Sequence, residues 1–199
     1  MTVLVGYASE HGSTRDIAQR MAARLSEGER RVEVLSLDRV RDLGRYEAVV
    51  LGSAIHDQEW LPLATRFVRR NLDTLAARPV WLFSVGMPGA LPVPLRKLAM
   101  KEESKVIADF RDAIVPRDHR LFSGVIDRDQ LSFVGRLLFR ALGGRYGDFR
   151  DWREVDAWAE NIAHQLTVTA EADSSLMPLA GPVNRRRFRL PRGAPAALS

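Results

Sequence analysis

Thr2-Val3-Leu4-Val5-Gly6-Tyr7 leads through Ala8-Ser9-Glu10-His11-Gly12-Ser13-Thr14 into an apolar-periodic stretch that begins at Arg15. The first run is short and almost wholly apolar, which predicts a buried strand, and the last has the 3.6-residue period of a helix. Between them lies a turn rich in hydroxyls. Ser9, Ser13 and Thr14 supply donors, Gly12 lets backbone approach a ligand closely, and the first turn of the helix presents N–H groups with no partner inside the helix. Glu10 and His11 complete the loop. Such a loop can hold a phosphate without a lysine. It lacks both G-x-x-x-x-G-K-[ST] and G-x-G-x-x-G, so a single phosphate monoester suits it better than a triphosphate or pyrophosphate. Read in isolation, the same residues also serve as ordinary helix caps.

Working outward, Arg31–Ser36 alternates like a half-buried edge strand, and Glu47–Ser53 is an unbroken apolar run ending in Gly52-Ser53, the pattern of a central parallel strand. A helix is expected from Trp60 to Leu75, a buried strand over Pro79–Gly86, a helix over Pro94–Phe110, a fifth strand over Arg120–Ile126 and a closing helix over Asp151–Leu166. Parallel neighbours need crossovers, and here the crossovers are helical. The expected fold is therefore α/β, a doubly wound five-stranded parallel sheet with a helical insertion before the last helix. Ligands of such sheets bind beyond the carboxyl ends of the strands. Three of those ends are small and polar: Ser9–Thr14, Ser53-Ala54-Ile55-His56, and Ser84-Val85-Gly86-Met87-Pro88.

Composition narrows the chemistry. The 199 residues are 46% hydrophobic, enough for one sizeable domain, expected over residues 1–166, followed by a tail. There is no cysteine, which excludes disulfides, thiolate metal sites and a cysteine nucleophile, so redox chemistry would need a bound organic cofactor. No apolar run approaches the roughly 20 residues of a spanning helix, and a cytoplasmic protein is expected. The net charge is +5, much of it beyond Thr167, where Arg185, Arg186, Arg187, Arg189 and Arg192 face only Glu171 and Asp173. Residues 167–199 read as a disordered basic tail, with no specific nucleic-acid partner implied.

The first loop resembles the FMN phosphate loop of the flavodoxin family on Tyr7, Ser9, Gly12, Thr14 and Ala18. It departs at Gly6, where that family favours a bulky residue, and at Met21. The resemblance implies FMN as cofactor, with its phosphate wrapped by Ser9 to Thr14 and its ring held by Ser53–His56 and Ser84–Pro88. A narrower similarity, to the menaquinone-dependent protoporphyrinogen oxidases, rests on Gly52–His56, Phe83–Gly86, Phe122–Asp127 and Asp151–Val155. It implies an oxidoreductase that takes electrons from a reduced tetrapyrrole and passes them to a quinone. The competing reading within the wider family is an electron carrier serving a partner enzyme. Such carriers are usually strongly acidic, and this chain is basic. A third reading is an interaction module that has lost FMN, against which the complete Ser9, Gly12, Ser13 and Thr14 set argues.

Residues 128–147 carry Leu131, Val134, Leu137, Leu138, Ala141 and Leu142 at helical spacing, with Phe133, Phe139, Arg128, Arg136, Arg140 and Arg145 among them. This is a basic amphipathic insertion. Two readings stand: its apolar face packs on the domain, or it lies on an anionic membrane surface, giving a protein peripheral at the inner face of the membrane. In the second, Arg136 and Arg140 would meet lipid or an anionic substrate. By resemblance, an insertion in this place serves the substrate side and contact with membrane quinone.

Overall fold

A computed structural model describes residues 1–28, 30–101 and 107–176. Contacts divide the chain into Met1–Gln165 and Leu166–Ser199. In the first unit, strands β1 (Thr2–Ala8), β2 (Arg31–Ser36), β3 (Ala48–His56), β5 (Val80–Gly86) and β6 (Asp118–Ser123) form a parallel sheet in the order β2-β1-β3-β5-β6. The order reverses direction after β2, so the ends of β1 and β3 part at the switch point where doubly wound sheets take ligands. Register runs without a break: Val5 faces Val34 on one side and Val50 on the other, and Leu51 faces Leu82.

The β1, β3 and β5 runs lack a polar face because both faces are covered. On one face Leu4, Val49, Leu51 and Leu82 pack with Phe67 and Val68 of α2 (Pro62–Arg70), Leu75 of α3 (Leu72–Ala76), and Phe110 and Ile114 of α5 (Ala108–Ile114). On the other, Phe83 and Phe122 meet Trp158 edge to face, with ring centroids 6.3 and 5.7 Å away. Trp158 belongs to α7 (Trp152–Leu176). Asp156 of the same helix takes Arg20 and Arg24 of α1 (Ser13–Leu25), with N···O distances of 2.6 and 2.9 Å. Gly6 departs from the resembled pattern for a local reason: a Cβ there would lie 2.6 Å from Leu37 Cδ2, so Leu37 fills the space a larger residue would need.

Several boundaries differ from expectation. The strand expected to end at Ser53 runs on: β3 continues through His56 and folds back as β4 (Glu59–Trp60), pairing Ile55 with Trp60 and His56 with Glu59. Asp57 and Gln58 turn the hairpin with φ of 50° and 66°. Trp60 is thus a strand residue, and the helix expected from it starts at Pro62, whose fixed φ suits a first turn, then breaks at Asn71. The helix expected over Pro94–Phe110 divides into α4 (Val93–Lys101) and α5, and residues 102–106 lie outside the described residues. Gly124 ends the fifth strand early. Val125–Ile126 then form β7, an antiparallel ribbon with β8 (Gly147–Asp148). The insertion contains a shorter helix, α6 (Phe133–Ala141), capped by Ser132, whose Oγ accepts from Gly135 N–H at 3.1 Å.

The last helix runs to Leu176 instead of ending at Leu166, so residues 167–176 of the expected disordered tail are helical. No Gly or Pro interrupts Thr167–Leu176, and the first proline comes at Pro178. The rest of that tail, including its arginines, lies outside the described residues. No helix among the described residues is long and apolar enough to cross a membrane.

Candidate functional site

A cleft of about 210 Å³ opens over the carboxyl ends of β1, β3, β5 and β6. Its first wall is the loop after β1. There Ser9 Oγ accepts from Gly12 N–H at 3.0 Å, closing a tight turn, and Gly12 adopts φ of +94°, a left-handed conformation that a side chain would strain. The first bond of α1 runs from Asp16 N–H to the Gly12 carbonyl at 3.0 Å. The N–H groups of Ser13, Thr14 and Arg15 therefore precede the helical ladder, at the positive end of the helix dipole. Thr14 is buried and lines the cleft. Ser13 Oγ accepts from Val125 N–H at 3.1 Å, which ties the start of α1 to the end of the sheet while leaving the hydroxyl proton free to donate. Glu10 and His11 line the same wall and are exposed, 4.0 Å apart.

The hairpin forms the second wall, through Ala54, Ile55, His56 and Asp57. Ser53, expected beside the ligand, is fully buried beneath it: its Oγ donates to the Ala54 carbonyl at 2.8 Å and accepts from Leu61 N–H at 3.0 Å. Ser84 is likewise fully buried. Its Oγ accepts from Trp60 Nε1 at 2.8 Å and lies 2.8 Å from His119 Nε2. Burial, only partly opposed by Asp118, lowers the His119 pKa to about 4, so the ring is neutral at pH 7 and shares a hydrogen bond with the Ser84 hydroxyl. Ser53 and Ser84 therefore hold the hairpin instead of lining the cleft.

Val85, Gly86 and Met87 supply the third wall. Pro88 is buried in a 3-10 turn, outside the lining, where Arg96 donates to the Pro88 and Gly89 carbonyls at 3.2 and 3.0 Å. Gly124, Val125, Ile126, Gln130 and Leu131 close the cleft, and sequence reasoning singles out none of them as a ligand residue. The available signal is the Ser123-Gly124 interruption of an otherwise apolar run, which ends β6 and turns the chain across the cleft mouth.

The insertion separates into two parts. Phe139 is buried against Ala90 and Ile126, and its ring lies 5.2 Å from that of Tyr146. Leu131 packs on the same cluster, but four large apolar side chains of the stripe do not pack on the domain: Phe133 is 81% exposed, Val134 73%, Leu137 67% and Leu138 59%. Between positions 133 and 138, packing uses none of the stripe's large side chains. Arg136 is occupied locally, its Nε donating to the Arg128 and Leu131 carbonyls at 2.8 and 2.9 Å. Arg140 is exposed and makes no side-chain hydrogen bond or ion pair with the described residues.

Comparison with known proteins agrees with this geometry. The family model described as "Flavodoxin domain" matches residues 4–148. A flavodoxin from the domain Archaea superposes with a TM-score of 0.53 at 18% identity, covering 84% of this chain and 99% of its own. A point mutant of flavodoxin from Pseudomonas aeruginosa gives 0.53 at 12% identity, covering 84% and 99%. Rubredoxin oxygen:oxidoreductase from Desulfovibrio gigas gives 0.54 at 14% identity, covering 84% of this chain and 36% of that one. No curated protein matches. With residues 4–148 matched and the fold shared, the chain belongs to the flavodoxin family, whose cofactor is FMN.

Proposed function

We propose that the cleft holds FMN and that the protein is an oxidoreductase taking electrons from a reduced tetrapyrrole, such as protoporphyrinogen IX, and passing them to a quinone at a membrane surface. The donor set fits the cofactor. Ser9, Ser13 and Thr14 with the adjoining backbone would hold a phosphate, the left-handed Gly12 sets the turn that carries them, and no acidic side chain but Glu10 lies within the loop. Ile55, Val85, Met87 and Leu131 give the apolar walls a planar ring needs, with His56 at the hairpin rim. FMN, when bound, supplies two-electron chemistry, and the protein contributes position and electrostatics.

The observation that carries the quinone and membrane reading is the exposed apolar face of α6, Phe133, Val134, Leu137 and Leu138. It follows directly on Leu131 at the mouth of the cleft. Exposed apolar surface of this kind marks a contact surface, and the neighbouring Arg140 suits an anionic leaflet. An electron carrier docking a protein partner is the competing reading. The basic charge of the chain favours a lipid surface over the acidic docking face of such carriers.

The test is anaerobic mixing of FMN-loaded protein with protoporphyrinogen IX, followed by menaquinone in anionic vesicles. The proposal expects flavin absorbance to fall at a rate proportional to substrate concentration and to recover on addition of the vesicles. Flavin that stays oxidised through the first mixing overturns the tetrapyrrole reading. Recovery equally fast with a water-soluble quinone and no vesicle overturns the membrane reading.

A further inference from the structure

A second cleft, of about 460 Å³, lies away from the first, between α2 and the connection from β2 to β3. Residues 37–47 cross from β2 to β3 through turns with no helix, so that flank of α2 has no helical neighbour from this connection. Its apolar lining is Leu37, Val40, Leu43, Leu63 and Phe67, of which Leu37, Leu43 and Phe67 are buried and Val40 and Leu63 half-buried. The rim is cationic: Arg41, Arg66 and Arg70 all line the cleft and all are exposed.

Several other arginines of the chain are paired within it. Arg20 and Arg24 are paired with Asp156, Arg45 with Glu33, and Arg150 with Asp16 and Asp148. Arg41, Arg66 and Arg70 have no ion pair or side-chain hydrogen bond with the described residues. The single carboxylate in the lining, Asp38, is engaged by the Ser36 hydroxyl, which together with nearby Arg39 and Arg41 holds it below the usual carboxylate range. Three positive charges thus face one negative charge, so the lining keeps an excess of positive charge. Arg66 and Arg70 also stand four residues apart on one helix, an arrangement of like charges that disfavours the helix unless something negative lies between them.

We propose that this cleft binds a small organic dianion, its oxyanion head held by Arg41, Arg66 and Arg70 and its apolar body against Val40 and Leu63. Guanidinium forks bind such heads bidentately, whether phosphate or paired carboxylates. The site is independent of the cofactor cleft and does not rest on the FMN reading.

Phenyl phosphate and phthalate serve as probes, titrated calorimetrically into the FMN-saturated protein. The comparison set is wild type, Arg66→Ala with Arg70→Ala, Arg41→Ala alone, and Ser9→Ala. The substituted arginines are exposed, and circular dichroism confirms folding of each variant. The expected result is one saturable site, weakened about tenfold or more by the double substitution and also weakened by Arg41→Ala, with Ser9→Ala unchanged. Tighter binding of phenyl phosphate identifies a phosphate monoester as the ligand type, and tighter binding of phthalate identifies a dicarboxylate. The proposal is overturned if neither probe saturates at millimolar concentration, if the arginine variants bind as wild type does, or if Ser9→Ala removes the binding and so places the probe in the β1 loop.

Discussion

Trp60 Nε1 donates to Ser84 Oγ at 2.8 Å, a buried bond that fastens the β3–β4 hairpin to the central strand β5. Ser84 Oγ also shares a hydrogen bond with His119 Nε2, 2.8 Å away, so one hydroxyl joins the hairpin, β5 and the edge strand β6. The residue after it, Val85, lines the cofactor cleft, as does Ile55, the strand partner of Trp60. Ser84→Ala leaves the Trp60 N–H buried without an acceptor. Such a loss costs about 1–3 kcal/mol. Urea denaturation of the variant should show a lower midpoint at an unchanged slope, and an unaltered midpoint would show that the bond contributes nothing.

The same cluster makes stability depend on pH. His119 has its folded pKa lowered to about 4 by burial, below the ordinary histidine value. Between about pH 6.5 and 4 the unfolded chain binds a proton that the folded chain refuses, so stability falls as pH falls through that window and levels off below it. At its full extent the effect is of order 3 kcal/mol. Asp118 and Arg111 face the ring with opposite signs and leave burial the dominant cause. Denaturation of wild type and His119→Gln across that range should give a stability difference that changes with pH. A difference independent of pH would contradict a neutral buried imidazole.

Helix α6 should separate stability from surface binding. Phe133→Ser with Leu137→Ser alters exposed side chains and should leave stability within about 0.5 kcal/mol, while binding to anionic vesicles drops sharply in a sedimentation assay. Phe139→Ala, a few residues on, removes a buried ring and should destabilise by about 3 kcal/mol. Vesicle binding that survives the double substitution would rule out the exposed face as the membrane contact.

Parts of this molecule can be read from its residues because a local rule agrees with the final packing. The β1 run, the Gly12 turn and the start of α1 are such a case, and so is the double burial of β3 and β5. The hairpin escapes because Asp57-Gln58 is not the Asn-Gly or Asp-Gly pair that announces a two-residue turn. Misplacing Trp60 in a helix follows from that. Ser53 and Ser84 look like ligand donors because small polar residues at strand ends serve either cleft or core, and only tertiary packing decides which. The period of α6 identifies an apolar face but carries no information about what covers it. Arg41, Arg66 and Arg70 are scattered in sequence, and only the fold brings them to one cleft.

The phosphate loop is the part of the account on which the cofactor reading depends most directly. FMN and riboflavin share the ring and differ in the phosphate, so their affinities for the apoprotein isolate what Ser9 to Thr14 contribute. Fluorescence titration should show FMN binding at least about a hundredfold more tightly than riboflavin, the sum expected from a few charge-assisted hydrogen bonds. Gly12→Val, which forces a β-branched side chain into the left-handed turn, should abolish most of that preference while leaving riboflavin affinity in place. Equal affinities for FMN and riboflavin in the wild-type protein would contradict the assignment of this loop as the phosphate site.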